Sequence, residues 1–169
     1  MLGFFTMDAE DDAADRLLFD TANALGARGM RLAGAVQSNI DRGEGQVCDM
    51  DLAILGDDGP AIRISQSLGN CSQGCRLDTE ALTFAVARAE AVLARGADLV
   101  IVNKFGKLEA AGRGFRDFIA AALAEDVPVL LHVPPDQLPE FWAFAGTLAE
   151  EIDPEGLIDW CKGKIGRAA

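Results

Sequence analysis

The stretch Asp98-Leu-Val-Ile-Val-Asn-Lys-Phe-Gly106 decides the fold. Leu99 to Val102 is apolar at every position and rich in β-branched residues. A strand with one face in water alternates, so this run predicts a central parallel strand covered on both faces. Working backward, Asp78 or Thr79 caps a helix that runs through Arg95 with Leu82, Val86, Ala89 and Leu93 on one face, and Gly96 stops it. Working forward, Asn103 to Gly114 reads as a loop with a partial helical turn, and Phe115 to Leu123 as a helix. Val127 to Val133 is a second buried strand, broken by Pro134-Pro135. Two helices complete the reading, Asp136 to Glu151 and Pro154 to Lys164.

Toward the amino end the same alternation continues. Leu2 to Thr6 is a short apolar strand, followed by the acidic Asp8-Ala-Glu-Asp-Asp12 and a helix with Ala14, Leu17, Leu18, Thr21, Ala22 and Leu25 at helical spacing, ending at Gly26 or Gly29. Arg31 to Gln37 is a strand, and Ser38 to Gly45 a polar loop. Val47 to Leu55 and Ala61 to Ser65 flank Gly56-Asp-Asp-Gly-Pro60, a turn too short for a crossover helix, so this pair is a hairpin.

Apolar strands alternating with amphipathic helices predict an α/β fold, a three-layer sandwich with a mostly parallel sheet plus a small antiparallel hairpin. Residues 1–169 are expected to form one domain. Because both are apolar on both faces, Leu2 to Phe5 and Leu99 to Val102 are expected as neighbours in the sheet centre. Ligands in such folds bind beyond the carboxyl ends of the strands. That rule selects Thr6 to Asp12, Gln37 to Asn39, Asn103 to Gly106 and His132 to Pro134.

Composition narrows the function classes. Fifteen Lys and Arg against 27 Asp and Glu leave a formal charge of −12, a field that repels nucleic acid and anionic lipid. No apolar run reaches the ~18 to 20 residues of a membrane span, and the first residues lack the pattern of a signal peptide. The expectation is a cytoplasmic protein with no nucleic-acid or membrane partner. Assembly into a homo-oligomer is left open. In that compartment Cys48, Cys71, Cys75 and Cys161 are reduced packing residues, ligands or reactive thiols.

Three segments could carry chemistry. The loop after the first strand lies where a phosphate loop would lie but has neither its glycines nor its lysine; Asp8, Glu10, Asp11 and Asp12 suit a helix amino terminus and repel phosphate. Asn103, Lys104, Gly106, Lys107 and Glu109 set an amide, two ammonium groups and a carboxylate after the most buried strand. Gly69 to Asp78 carries Cys71, Cys75 and Arg76 ahead of a helix, a loop able to present an anion site. Zinc held by Cys71 and Cys75 would need two further ligands, with Cys48 and His132 the candidates, so no metal is assigned. The single histidine, His132, reads as a satisfied strand-end residue, and Phe141, Trp142 and Phe144 as core.

Ser65-Gln-Ser-Leu-Gly…Gly-Cys-Arg-Leu-Asp78, the segment Ala97 to Gly114, Ala33-Gly-Ala-Val-Gln-Ser38 and the Pro128-Val-Leu strand resemble, over nearly the whole chain, an uncharacterised bacterial family linked with molybdenum uptake. That family resembles a degenerate relative of the thermophile-type P-loop nucleoside-triphosphatases. The resemblance implies a P-loop-NTPase-like fold. In those enzymes the strand matching Leu99 to Val102 ends in an acidic pair followed by Gly and Glu, similar to Gly106 and Glu109, whereas Asn103-Lys104 stands in place of the acidic pair. The resulting expectation is a non-hydrolysing protein that binds a small anion, molybdate or a phosphate-bearing ligand such as a nucleotide, through Gln37, Arg76, Asn103, Lys104, Gly106 and Lys107, with Cys71 and Cys75 on a flap. No catalytic residue is assigned. The alternatives are a nucleoside-triphosphatase with an unconventional phosphate loop and a protein-interaction module.

Overall fold

The computed structural model describes residues 1–8, 12–40, 49–66 and 77–165. Among the described residues seven strands form one sheet: β1 (Leu2–Phe5), β2 (Leu32–Ile40), β3 (Asp49–Ile54), β4 (Ile62–Arg63), β5 (Leu99–Lys104), β6 (Val129–His132) and β7 (Ala149–Glu151). Their spatial order is β4-β3-β2-β5-β6-β1-β7. From β2 to β7 every pairing is parallel, while β2–β3 and β3–β4 are antiparallel. The helices are α1 (Ala13–Gly26), α2 (Thr79–Leu93), α3 (Lys107–Ala110), α4 (Arg116–Ala124), α5 (Leu138–Ala145) and α6 (Leu157–Ile165).

Strand alternation builds two cores. Val100, Val102, Val129, Leu131, Ala33 and Ala35 face one side, where α2 supplies Leu82, Ala85 and Ala89, α4 supplies Phe118 and Ile119, and α5 supplies Phe141. Leu99, Ile101, Leu130 and Val36 face the other, against Leu18, Ala22 and Leu25 of α1 and Leu157 and Cys161 of α6. Helix, sheet and helix make the three layers, and the architecture is P-loop-NTPase-like with an antiparallel end. Gly34 permits a close approach between β2 and β5. It has φ +110, and a Cβ there would lie 2.0 Å from the Ile101 carbonyl oxygen.

The expected adjacency of the two apolar strands needs correction. β6 lies between β5 and β1, pairing Val129 with Val100 on one side and with Leu2 on the other. β1 stands one place from the sheet edge. All of these strands are apolar on both faces, so apolarity does not order them. The helix expected over Asp136 to Glu151 is also corrected: α5 ends at Gly146, which has φ +53, and residues 149–151 return as β7 on the free edge of β1. The strand expected to stop at Gln37 continues to Ile40. The hairpin, the cap on α2 and the stop at Gly96 fall where expected. Asp78 accepts from the backbone N–H groups of Glu80 and Ala81 at 3.0 Å each. No helix among the described residues is long and apolar enough to cross a membrane.

Candidate functional site

The carboxyl ends of β1, β2, β5 and β6 meet the start of α1, and there a polar network is built from amides. Asn103, the penultimate residue of β5, is 6% exposed. Its Oδ1 accepts the backbone N–H of Gln37 at 2.9 Å, and its Nδ2 donates to Asp15 Oδ1 at 2.9 Å. Gln37, 7% exposed on β2, sends Nε2 to Asn39 Oδ1 at 2.7 Å and to Asp15 Oδ2 at 3.2 Å. Asn39 Nδ2 donates to Asp12 Oδ1 at 2.6 Å and to Asp15 Oδ2 at 3.0 Å. Three amides therefore converge on the half-buried carboxylate of Asp15 in the first turn of α1. This satisfies buried polar groups that would otherwise be costly to desolvate.

Beside this network stand Lys104 and His132, paired across β5 and β6 where the register shifts. Lys104 is exposed and makes no ion pair among the described residues. His132 is buried, with Nε2 3.3 Å from the Met7 carbonyl oxygen. Only an N–H can satisfy that oxygen, so the neutral ring carries its proton on Nε2. Burial holds the His132 pKa below its usual 6.5; the Met7 carbonyl and Asp15 act to raise it, and Lys104 to lower it. Its place as a satisfied strand-end histidine is as the sequence reading has it.

Gly106 and Lys107 lie beyond Lys104, at the start of α3. The N–H of Gly106 donates to Glu109 Oε2 at 3.0 Å, and Glu109 Oε1 accepts the N–H of Phe115 at 3.0 Å. Glu109 is thus a buried clamp on its own loop. Gln37 and Asn103 are in direct contact, with Lys104, Gly106 and Lys107 following on the same segment. Arg76, Cys71 and Cys75, with Cys48, lie outside the described residues, as do Glu10 and Asp11.

Two expectations about nearby residues need correction. Asp12 takes the cap position of α1, yet its carboxylate makes no capping bond and turns to Asn39 instead. Trp142 is 44% exposed, unlike its core neighbour Phe141; a helix sends consecutive residues to different sides. Sequence reasoning passed over Asp15, because an acidic residue in a first helical turn already has a sufficient reason in the helix dipole. Two surface grooves among the described residues lie elsewhere. One of about 420 Å³ runs between α2 and the α3–α4 loop near Thr83 and Arg113, and one of about 710 Å³ lies at the opposite end of the sheet near Arg31 and Arg95.

Residues 5–160 match the family described as "Protein of unknown function (DUF2478)". Molybdenum import ATP-binding protein ModC 2 of Bradyrhizobium diazoefficiens is 41% identical over 141 residues. The aligned segment is 83% of this chain and 16% of that protein, so the chain spans only a small part of this curated relative. No solved structure matches the chain.

Proposed function

The chain belongs to the DUF2478 family, and from that premise we propose that it is a non-hydrolysing small-anion-binding protein of molybdenum metabolism. The ligand is molybdate or a phosphate-bearing molecule, held in the crevice at the carboxyl ends of the parallel strands. The observation that carries this reading is the convergence of the Gln37, Asn39 and Asn103 amides beside Lys104, at the place where this architecture binds its ligands. The name of the relative supplies the molybdenum connection. Its ATP binding belongs to a protein of which this chain spans 16%, and hydrolysis is not carried over: the first loop has no glycine or lysine, and Asp12 and Asp15 stand at the start of α1. Lys104, Lys107 and Arg76 supply the positive charge. Gly106 contributes a turn, since its N–H is already taken by Glu109. The proposed setting is cytoplasmic, within one domain.

Calorimetry with molybdate, sulfate and phosphate, beside a magnesium-dependent ATP and GTP turnover assay, tests the reading. Oxyanion binding without turnover is expected, with Lys104→Ala and Arg76→Ala each weakening affinity by about one to two powers of ten, the value of one charge-assisted hydrogen bond. Turnover of about 1 per second, or no oxyanion binding, would overturn it. A second reading, an interaction module, is favoured by the exposure of Trp142 and Leu148, 44% and 60%. Self-association or partner capture abolished by Trp142→Ala in light scattering would support it.

A further inference from the structure

Asn103 is aimed by a backbone group, and Asn39 and Gln37 by each other, in addition to the carboxylate all three hold. Asn103 Oδ1 is fixed by the Gln37 backbone N–H at 2.9 Å, which decides that Nδ2 faces the crevice. Asn39 Oδ1 is fixed by Gln37 Nε2 at 2.7 Å, which turns Asn39 Nδ2 outward in the same way. Gln37 and Asn103 are more than nine-tenths buried, so neither rotates freely into water. Removing Asp15 would leave the donors still pointing at the vacated position. Preorganised donors around one point are the arrangement that recognises an oxyanion. The group now at that point is itself an oxyanion, covalently part of α1.

We infer that Gln37, Asn39 and Asn103 form an oxyanion cradle filled by the chain's own Asp15 carboxylate, and that a tetrahedral oxyanion enters it in exchange for that carboxylate. The inference rests on the anion-binding reading above and names the atoms that bind. A tethered competitor acts at an effective concentration in the millimolar range or higher, so a free oxyanion must work against it. Asp12, bonded to Asn39, adds repulsion, and Lys104 offsets it. The parent protein is therefore a weak binder, and loss of Asp15 should strengthen binding.

The test compares the parent with Asp15→Ala by calorimetry against molybdate, sulfate and inorganic phosphate, together with thermal unfolding in each anion. Asp15→Ala is expected to unfold at lower temperature without anion, to regain the loss with oxyanion, and to bind at least ten-fold more tightly than the parent. Adding Asn103→Ala to it should remove the gain. If the parent binds and Asp15→Ala binds equally or more weakly, the cradle is wrong and the anion-binding reading stands. If only Asp15→Ala binds, the amides accept an oxyanion but the exchange with Asp15 is overturned, and with it the anion-binding reading for the parent; if neither binds, both fail. Should Asp15→Ala not fold, the side-chain amide resonances of Gln37, Asn39 and Asn103 in the parent decide. They are expected to shift on oxyanion titration, and their constancy would overturn the cradle.

Discussion

Replacing Glu109 by glutamine should destabilise the protein by about 3 kcal/mol without changing its outline, and the number follows from the clamp. The carboxylate is 6% exposed and takes the N–H of Gly106 on one oxygen and that of Phe115 on the other, so it closes both ends of the loop that carries α3. Glutamine keeps one acceptor and turns an NH2 toward the second N–H. A charge-assisted bond worth about 1.5 to 3 kcal/mol is lost, and a stranded buried N–H adds about 1 to 3 kcal/mol, partly offset because a charge no longer has to be desolvated. In a chain of 169 residues each kcal/mol moves the melting temperature by about 2 to 4 °C, so the expected fall is about 6 to 12 °C.

Urea unfolding measures this directly, and the m-value should be unchanged. A second perturbation reaches the same clamp from outside. Gly114 has φ +61, and a Cβ there would lie 2.1 Å from Glu109 Oε1, so Gly114→Ala displaces the carboxylate that Glu109→Gln alters. The two effects should be clearly less than additive, because each damages one shared set of bonds. A Glu109→Gln variant within about 0.5 kcal/mol of the parent, the range of ordinary surface changes, would refute the clamp, as would full additivity. The carboxylate would then be free for the role that its resemblance to the glutamate of P-loop hydrolases implies.

Burial depresses the pKa of His132, so the unfolded chain binds its proton first as pH falls. Stability is full above the unfolded value of about 6.5 and declines below it toward the folded pKa, by at most about 1.4 kcal/mol per pH unit. His132→Gln should flatten that part of the profile between pH 7.5 and 5.5 in denaturant titrations; an unchanged slope would exclude His132 as its source. The Cys161 thiol, buried and pushed up to about 12, should resist alkylation at pH 8 in the native protein and react in urea, as read by mass spectrometry; native labelling would contradict its burial. Gly34→Ala sets a Cβ against the Ile101 carbonyl where both partners are backbone, so β2 cannot keep its register with β5. The expected cost exceeds about 3 kcal/mol, seen as lost soluble yield or a collapsed melting temperature. A parent-like melt would show that the sheet yields there.

The sequence made the elements legible where one residue type has one use. The uniform apolarity of Leu99 to Val102 identified a strand covered on both faces, and Asp78 identified a helix start, because each pattern has a single economical structural reading. Strand order was not legible: β1, β5 and β6 are all apolar on both faces, and only packing decides which lie side by side. Nor was β7. Ala149-Glu-Glu151 consists of good helix formers, and it becomes a strand because β1 offers an open edge after Gly146 ends the helix. The strand-end rule reached Gln37, Asn39 and Asn103. It could not reach their common acceptor, since Asp15 lies 88 residues from Asn103 in the chain and has an adequate local explanation as an acid in the first turn of α1.

The Asp15 network also changes what ligand binding can do to stability. In a crevice left open for an anion, the bound ligand adds its binding free energy to the folded state, so thermal stability rises with its concentration. Here the amides of β2 and β5 are already satisfied by a carboxylate carried on α1, and the three elements are joined before any ligand arrives. An entering oxyanion breaks those bonds as it makes its own. The difference between the two sets is the affinity, and that difference is small because the donors are the same. A carboxylate returned to water does recover its hydration, so exchange is not forbidden. It follows that a small thermal shift in the parent is compatible with occupancy of the cradle. The ordering to expect across variants is a large oxyanion-dependent shift in Asp15→Ala, a small one in the parent, and one no larger than the parent's when Asn103→Ala is added to Asp15→Ala.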